Sequence, residues 1–283
     1  MYPEYPQRDR FQRCLPIRTN MKVLLPIVLL FVLLCNDAWT KDIIILDANQ
    51  LKIEEREAIL VLTGFGSVYH SAKNQKLNFK QPGYDLFIPD YIDKKSIALC
   101  SEHLGNFITK QQLLRYKKIH VFAYILGAWT LNTYLEQNTL PNLASIIYDR
   151  SPLQERVPGI LVRSNPFLSR LVFGKLIAEI AHTPYQAHQQ QNENIGILME
   201  CKATKILWKK KKEYDLMPKP SFSVEKLNQS CSDYCYFFIS HDELYTQLEK
   251  ISPCIVTFFK TGKFSADTSK EACSIDPFIT YHK

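Results

Sequence analysis

Residues 118–130 read Lys-Ile-His-Val-Phe-Ala-Tyr-Ile-Leu-Gly-Ala-Trp-Thr, an apolar strand that turns into a helix, with small residues at Ala123 and Gly127. That spacing lets the turn tighten until the central side chain stands clear, the arrangement that presents a serine to a carbonyl. The central residue here is Ile125, which has no heteroatom and cannot attack anything. Upstream, the apolar run 58–62 is followed by Thr63-Gly64-Phe65-Gly66. Leu126 directly follows Ile125, as Gly64 and Phe65 follow the earlier apolar run. Downstream, Asp242 and Lys263 lie 21 residues apart, each after an apolar run. A serine mechanism needs a base that titrates near neutrality, and a lysine titrates near 10.4 unless strongly desolvated. Beside Asp242 the ammonium would be favoured, so the pair is expected to form a salt bridge.

Other residues could supply a nucleophile. Ser67 precedes His70 by three residues, and Cys100 precedes His103 by the same offset. Neither spacing is specific: Ser67 and His70 fit an ordinary loop, and Cys100 fits a core or disulfide cysteine on a helix. His182 and His188 flank a polar segment and are expected in solvent, not on a metal. Asp149-Arg150 next to Ser151-Pro152 reads as a turn, and Trp129 and Trp208 as packing residues. Cys231 and Cys235 resemble half of a zinc site, but no second pair has matching spacing. No cofactor is expected.

The elements that must position these residues alternate. Short β-branched runs at 58–62, 84–88, 119–123, 143–148, 236–240 and 254–259 predict strands. Helical periodicity covers 96–116 and 126–135. Alternation of this kind predicts an α/β fold, a mainly parallel sheet flanked by helices. Residues 150–222 break it with Pro158, Pro166 and Pro184 and a polar loop at 186–194, and read as a helical lid or cap insertion.

The chain has 283 residues, 46% of them apolar, enough for one sizeable domain over 41–283. Residues 1–40 stand apart. Met21-Lys22, an apolar run at 23–35 and the polar stretch to Thr40 have signal-peptide form, preceded by an extension with four arginines. Export is the expectation, with an uncleaved anchor as the alternative. Six cysteines then remain, Cys100, Cys201, Cys231, Cys235, Cys254 and Cys273, and their even number predicts disulfides concentrated after residue 200. Asn228-Gln-Ser230 is a glycosylation sequon. The net charge of +7 is partly local to Lys209–Lys212. Without interleaved aromatics that run argues against nucleic acid and for a solvated face, with membrane contact as the lesser reading.

Over residues 42–283 the landmarks, in their order, resemble the α/β-hydrolase superfamily. The resemblance implies that Gly64, Phe65 and Leu126 hold oxyanion-loop-like positions, with Thr63 in place of the usual histidine. It implies that Ile125 occupies the nucleophile position, Asp242 the acid position and Lys263, in Phe258-Phe-Lys-Thr-Gly-Lys-Phe264, the base position. Two of the three triad members are thus lost. A β-branched residue tolerates an elbow badly, so the turn at Ile125 is expected either to relax or to pack Ile125 into the site floor. The resulting expectation is an exported, non-catalytic protein that binds an apolar or acyl small molecule, or a protein partner, under the lid. The alternative is a divergent ester, thioester or lipid hydrolase with a relocated nucleophile.

Overall fold

A computed structural model describes residues 42–65, 78–149, 157–216, 224, 227 and 229–271. The signal-peptide form at 21–40, Ser67, His70, Asn228 and Cys273 lie outside the described residues.

Seven strands form one sheet in the order β1-β3-β2-β4-β5-β6-β7. They are β1 (Ile43–Ile45), β2 (Glu57–Leu62), β3 (Tyr84–Ile88), β4 (Lys118–Tyr124), β5 (Leu143–Asp149), β6 (Asn194–Lys202) and β7 (Asp233–Ser240). Every pairing is parallel except that of β1 with β3. A parallel sheet needs helices on both faces, so its inner strands tend to near-continuous apolar runs instead of alternating. In β2, Ala58 through Leu62 are all fully buried.

The covering helices are α1 (Ile97–Lys110), α2 (Leu126–Gln137), α3 (Val157–Ser164), α4 (Pro166–Phe173), α5 (Leu176–His182), α6 (Lys205–Lys209), α7 (Lys211–Asp215) and α8 (Leu248–Thr261). One core joins α1 and α2 to one face through Leu104, Phe107, Leu126, Trp129 and Tyr148. The other joins α8 to the opposite face through Phe122, Ile147, Leu198, Ile255 and Phe258. Ser96 caps α1 by accepting from the Leu99 amide at 3.2 Å, which fixes where that helix starts. The predicted helix 96–116 stops at Lys110, and a short 3-10 turn, Leu113–Arg115, follows with Leu114 half exposed.

Two expectations fail. Residues 254–259 are not a strand but the middle of α8, whose buried positions Leu248, Ile251, Ile255 and Phe258 recur with helical spacing. The interruption after β5 is also shorter than 150–222, because β6 lies within that range and pairs on both sides. Helices α3 to α5, between β5 and β6, are the segment that crosses over the strand ends.

Candidate functional site

At the end of β4 the chain turns sharply. Ile125 has φ 34° and ψ −87°, left-handed backbone that a β-branched side chain disfavours, at a cost of about 1–3 kcal/mol. Its amide donates to the Asp149 carbonyl at 3.4 Å, and its own carbonyl accepts from Ala128 and Trp129 at 3.0 and 3.3 Å, starting α2. The turn has not relaxed, and packing explains why. A Cβ on Gly127 would lie 2.4 Å from the Leu62 carbonyl oxygen, so α2 is seated directly on β2 and holds the turn closed. The strained turn is kept closed with an isoleucine at its apex.

The loop after β2 meets this turn. A Cβ on Gly64 would approach the Tyr124 ring to 2.9 Å, and the Tyr91 hydroxyl donates to the Thr63 carbonyl. Phe65 stacks edge-on against Phe173 of α4 with ring centroids 5.2 Å apart. Gly64, Phe65, Ile125 and Leu126 are therefore gathered at the carboxyl ends of β2 and β4, as their order in the sequence implied.

Beside them is a cavity of about 270 Å³, lined by Ile125 and Trp129 below and by Pro158, Ile180, His182 and Tyr185 from the crossing segment. Trp129 meets Tyr185 edge-on at 5.2 Å. A buried chain fixes that wall: the Tyr148 hydroxyl donates to Asn132 Oδ1 at 2.7 Å, and Asn132 Nδ2 donates to the Tyr185 hydroxyl at 2.9 Å and the Gln186 carbonyl at 2.8 Å. Burial pushes the Tyr148 phenol well above its ordinary range, so it stays a donor. Trp129 is thus a wall of the cavity as well as a packing residue.

Asp242 and Lys263 are not brought together. Asp242 lies in the turn that follows the carboxyl end of β7. Lys263 follows α8, and its Nζ donates at 2.5 Å to the carbonyl of Ser232, just before the amino end of β7. The eight residues of β7, at about 3.3 Å each, separate the two, so the expected salt bridge does not form. The misassigned strand is the reason. With 254–259 helical, β7 is the last strand among the described residues, and the residue directly after it is His241. Lys263 is at the far end of the sheet. Reading α8 as a helix from its period would have exposed this.

The remaining candidates separate cleanly. Cys100 is buried, with its thiol donating to the Asp93 carbonyl at 3.4 Å and pushed up to about 11 by burial, whereas His103 is exposed on another face of α1. His182 is exposed at the cavity rim. His188 is not free in solvent: its Nε2 lies 2.8 Å from the buried Glu193 carboxylate, which also accepts from the amides of Gln191 and Asn192. Asp149 is fully buried at the end of β5, as is Glu200 in β6. In the lysine run, Lys210 and Lys211 pair with Glu213 and Asp215. Cys100, Cys231, Cys235 and Cys254 are free thiols, so the expected stapling of the C-terminal part is absent at three of its cysteines. Cys231 and Cys235 gain no further ligand, since among the described residues no three His, Cys, Asp or Glu side chains converge to hold a metal.

One constellation was not anticipated. At the amino ends of β2, β4 and β5, Ser145 Oγ lies 2.8 Å from His120 Nδ1, and His120 Nε2 lies 3.3 Å from the Glu57 carboxylate. These are the residue types of a serine triad. Ser145 and His120 are only 2% and 1% exposed, and the ring is packed against Phe259 and Tyr84. Burial holds the His120 imidazole below its usual range, against the opposing pull of Glu57. The arrangement is a hydrogen-bond chain that ties three strands together, buried at Ser145 and His120 and reaching solvent only at Glu57, beside Lys117 and Lys118.

The fold has counterparts among solved structures. The lipase BlEst2 of Bacillus licheniformis aligns with a TM-score of 0.50 at 11% identity, over 78% of this chain and 98% of its own. A bromoperoxidase from Bacillus anthracis gives 0.50 at 8% identity, over 72% and 92%. The chain adopts the α/β-hydrolase fold. An esterase from Exiguobacterium antarcticum is similar at 9% identity and a TM-score of 0.48, over 78% and 95%. No family model and no curated protein matches the sequence. At these identities the likeness extends to the fold and no further.

Proposed function

We propose that the elbow cavity is a binding site for a small apolar or acyl ligand and that the chain does no acyl-transfer chemistry there. The observation that carries this reading is Ile125: the elbow keeps its strained backbone and its cavity, and places a hydrocarbon where the reacting oxygen would stand. Ligand pockets typically span 300–1,000 Å³, so a cavity of about 270 Å³ suits a short acyl chain or one aromatic ring. His182 and Tyr185 at its edge can hydrogen-bond a carboxylate or carbonyl head group.

The test is titration calorimetry with octanoate and with a short-chain ester, on the wild type and on Ile125→Trp, whose indole fills the cavity. Binding that Ile125→Trp abolishes supports the reading. Binding that survives it, or no binding by a folded wild type, contradicts it.

A second reading is favoured by His241 following the last strand and by the fold shared with a lipase. In that reading the chain hydrolyses esters or thioesters with a nucleophile from outside the elbow. A serine that reacts covalently with a fluorophosphonate and is required for turnover would establish it.

A further inference from the structure

Helix α4 lies outermost in the segment that crosses the strand ends, and it is unusually apolar on its free side. Phe167 is 79% exposed, Leu168 44% and Leu171 46%, three large hydrophobics on eight residues. Single exposed hydrophobics need no explanation, but a contiguous group marks an interaction surface. Its opposite side faces the site, where Phe173 packs against Phe65.

Charge identifies the occupant. Residues 157–178 contain Arg163, Arg170 and Lys175 and no acidic residue, and all three cations are exposed. Next to them, residues 202–212 hold six lysines and again no acid. The two segments adjoin because Ile160 of α3 packs with Ala203, Leu207 and Tyr214 around α6 and α7. Lys210 and Lys211 are paired with Glu213 and Asp215, which leaves exposed Lys209 and Lys212 to carry the excess charge, and Trp208, directly before Lys209, is 38% exposed. An apolar helix face near an excess of exposed cations matches the boundary of a bilayer with anionic head groups. A protein partner would have to offer an acidic rim around an apolar patch, a much narrower requirement.

We propose that α4, with the lysine-bearing helices α6 and α7 that adjoin neighbouring α3, docks this chain onto an anionic lipid surface. Phe167, Leu168 and Leu171 enter the head-group layer, and Arg163, Arg170, Lys175, Lys209 and Lys212 meet the phosphates. This proposal stands whether the elbow cavity holds a ligand or not.

The experiment is co-sedimentation of the purified full chain with vesicles of phosphatidylcholine alone and with about one-third phosphatidylserine, at 0.15 M salt. Partition onto the anionic vesicles should exceed that onto neutral ones at least tenfold. The double substitution F167D/L171D, at exposed positions that leave the core intact, should remove it, and Arg170→Gln should weaken it about fivefold, the effect of about one surface cation. Partition without preference for anionic lipid, or unchanged in F167D/L171D with an unaltered unfolding temperature, overturns the proposal. So does a concentration-dependent dimer that F167D/L171D abolishes in a protein that ignores vesicles, since the face then belongs to a second copy.

Discussion

The two ends of the sheet make an instructive pair. At the carboxyl ends of the strands the chain keeps the shape of a nucleophile site: a strained turn, a loop against it and a cavity of about 270 Å³, but with Ile125 at its centre. At the amino ends it holds serine, histidine and carboxylate in one hydrogen-bonded chain, with no room beside them. One end has access without chemistry, and the other has chemical groups without access. A reaction needs both at one place, because a base and a nucleophile act only on an atom that can come within about 3 Å of them. Ser145–His120–Glu57 thus reads as architecture, while the elbow has the access that the proposed ligand needs.

Breaking the elbow's support should have the largest effect. In Gly127→Val even the first side-chain carbon collides with the Leu62 carbonyl, so α2 must lift from β2. We expect a loss of about 3 kcal/mol or more in denaturant unfolding, together with loss of the cavity. Wild-type stability would mean that α2 is not seated as described.

His120→Ala tests the other end. It removes a ring packed on Phe259 and leaves Ser145 without its partner, which should cost about 2–3 kcal/mol, while Ser145→Ala should cost only about 1 kcal/mol. Neither should alter binding at the elbow. A change in ligand affinity on Ser145→Ala would merge the two ends into one functional unit.

The histidine also predicts a pH dependence. Folded His120 holds its proton less tightly than an unfolded histidine, which titrates near 6.5. As pH falls below about 6.5 the unfolded state takes up a proton that the folded state refuses, so stability declines until the folded imidazole also protonates. Unfolding curves from pH 8 to pH 5 should show this decline, and His120→Ala should flatten it. The smallest effect is expected for Ile125→Gly. Relief of the left-handed backbone outweighs the loss of a half-exposed side chain, and the variant should be as stable as wild type or up to about 1 kcal/mol more so by thermal unfolding.

Legibility in the sequence followed burial on both faces. Strands β2 to β5 and β7 were visible because a doubly covered strand is a bare apolar run, and Gly64, Phe65, Ile125 and Leu126 fell where their order placed them. Strand β6 was hidden because it follows a polar loop between proline-rich segments and ends in Glu200-Cys201-Lys202, which reads as surface although Glu200 is fully buried. Residues 254–259 misled because Cys-Ile-Val-Thr-Phe-Phe is β-prone locally, while the helical period shows only over the longer stretch from Leu248. That single misassignment put Lys263 at the end of a strand, whereas the residue that follows the last described strand is His241. The chain from Ser145 to Glu57 had no local signal at all, since its members are 25 and 63 residues from His120 and meet only through strand register.

The account rests on the elbow lacking a nucleophile, and fluorophosphonate labelling of the purified chain, read by intact mass beside a short-chain ester panel, tests this most directly. We predict no adduct and no turnover from folded protein, at Ser145 or at any other serine. One modified serine whose replacement by alanine abolishes both label and turnover would contradict the account and show that this fold still carries out acyl transfer.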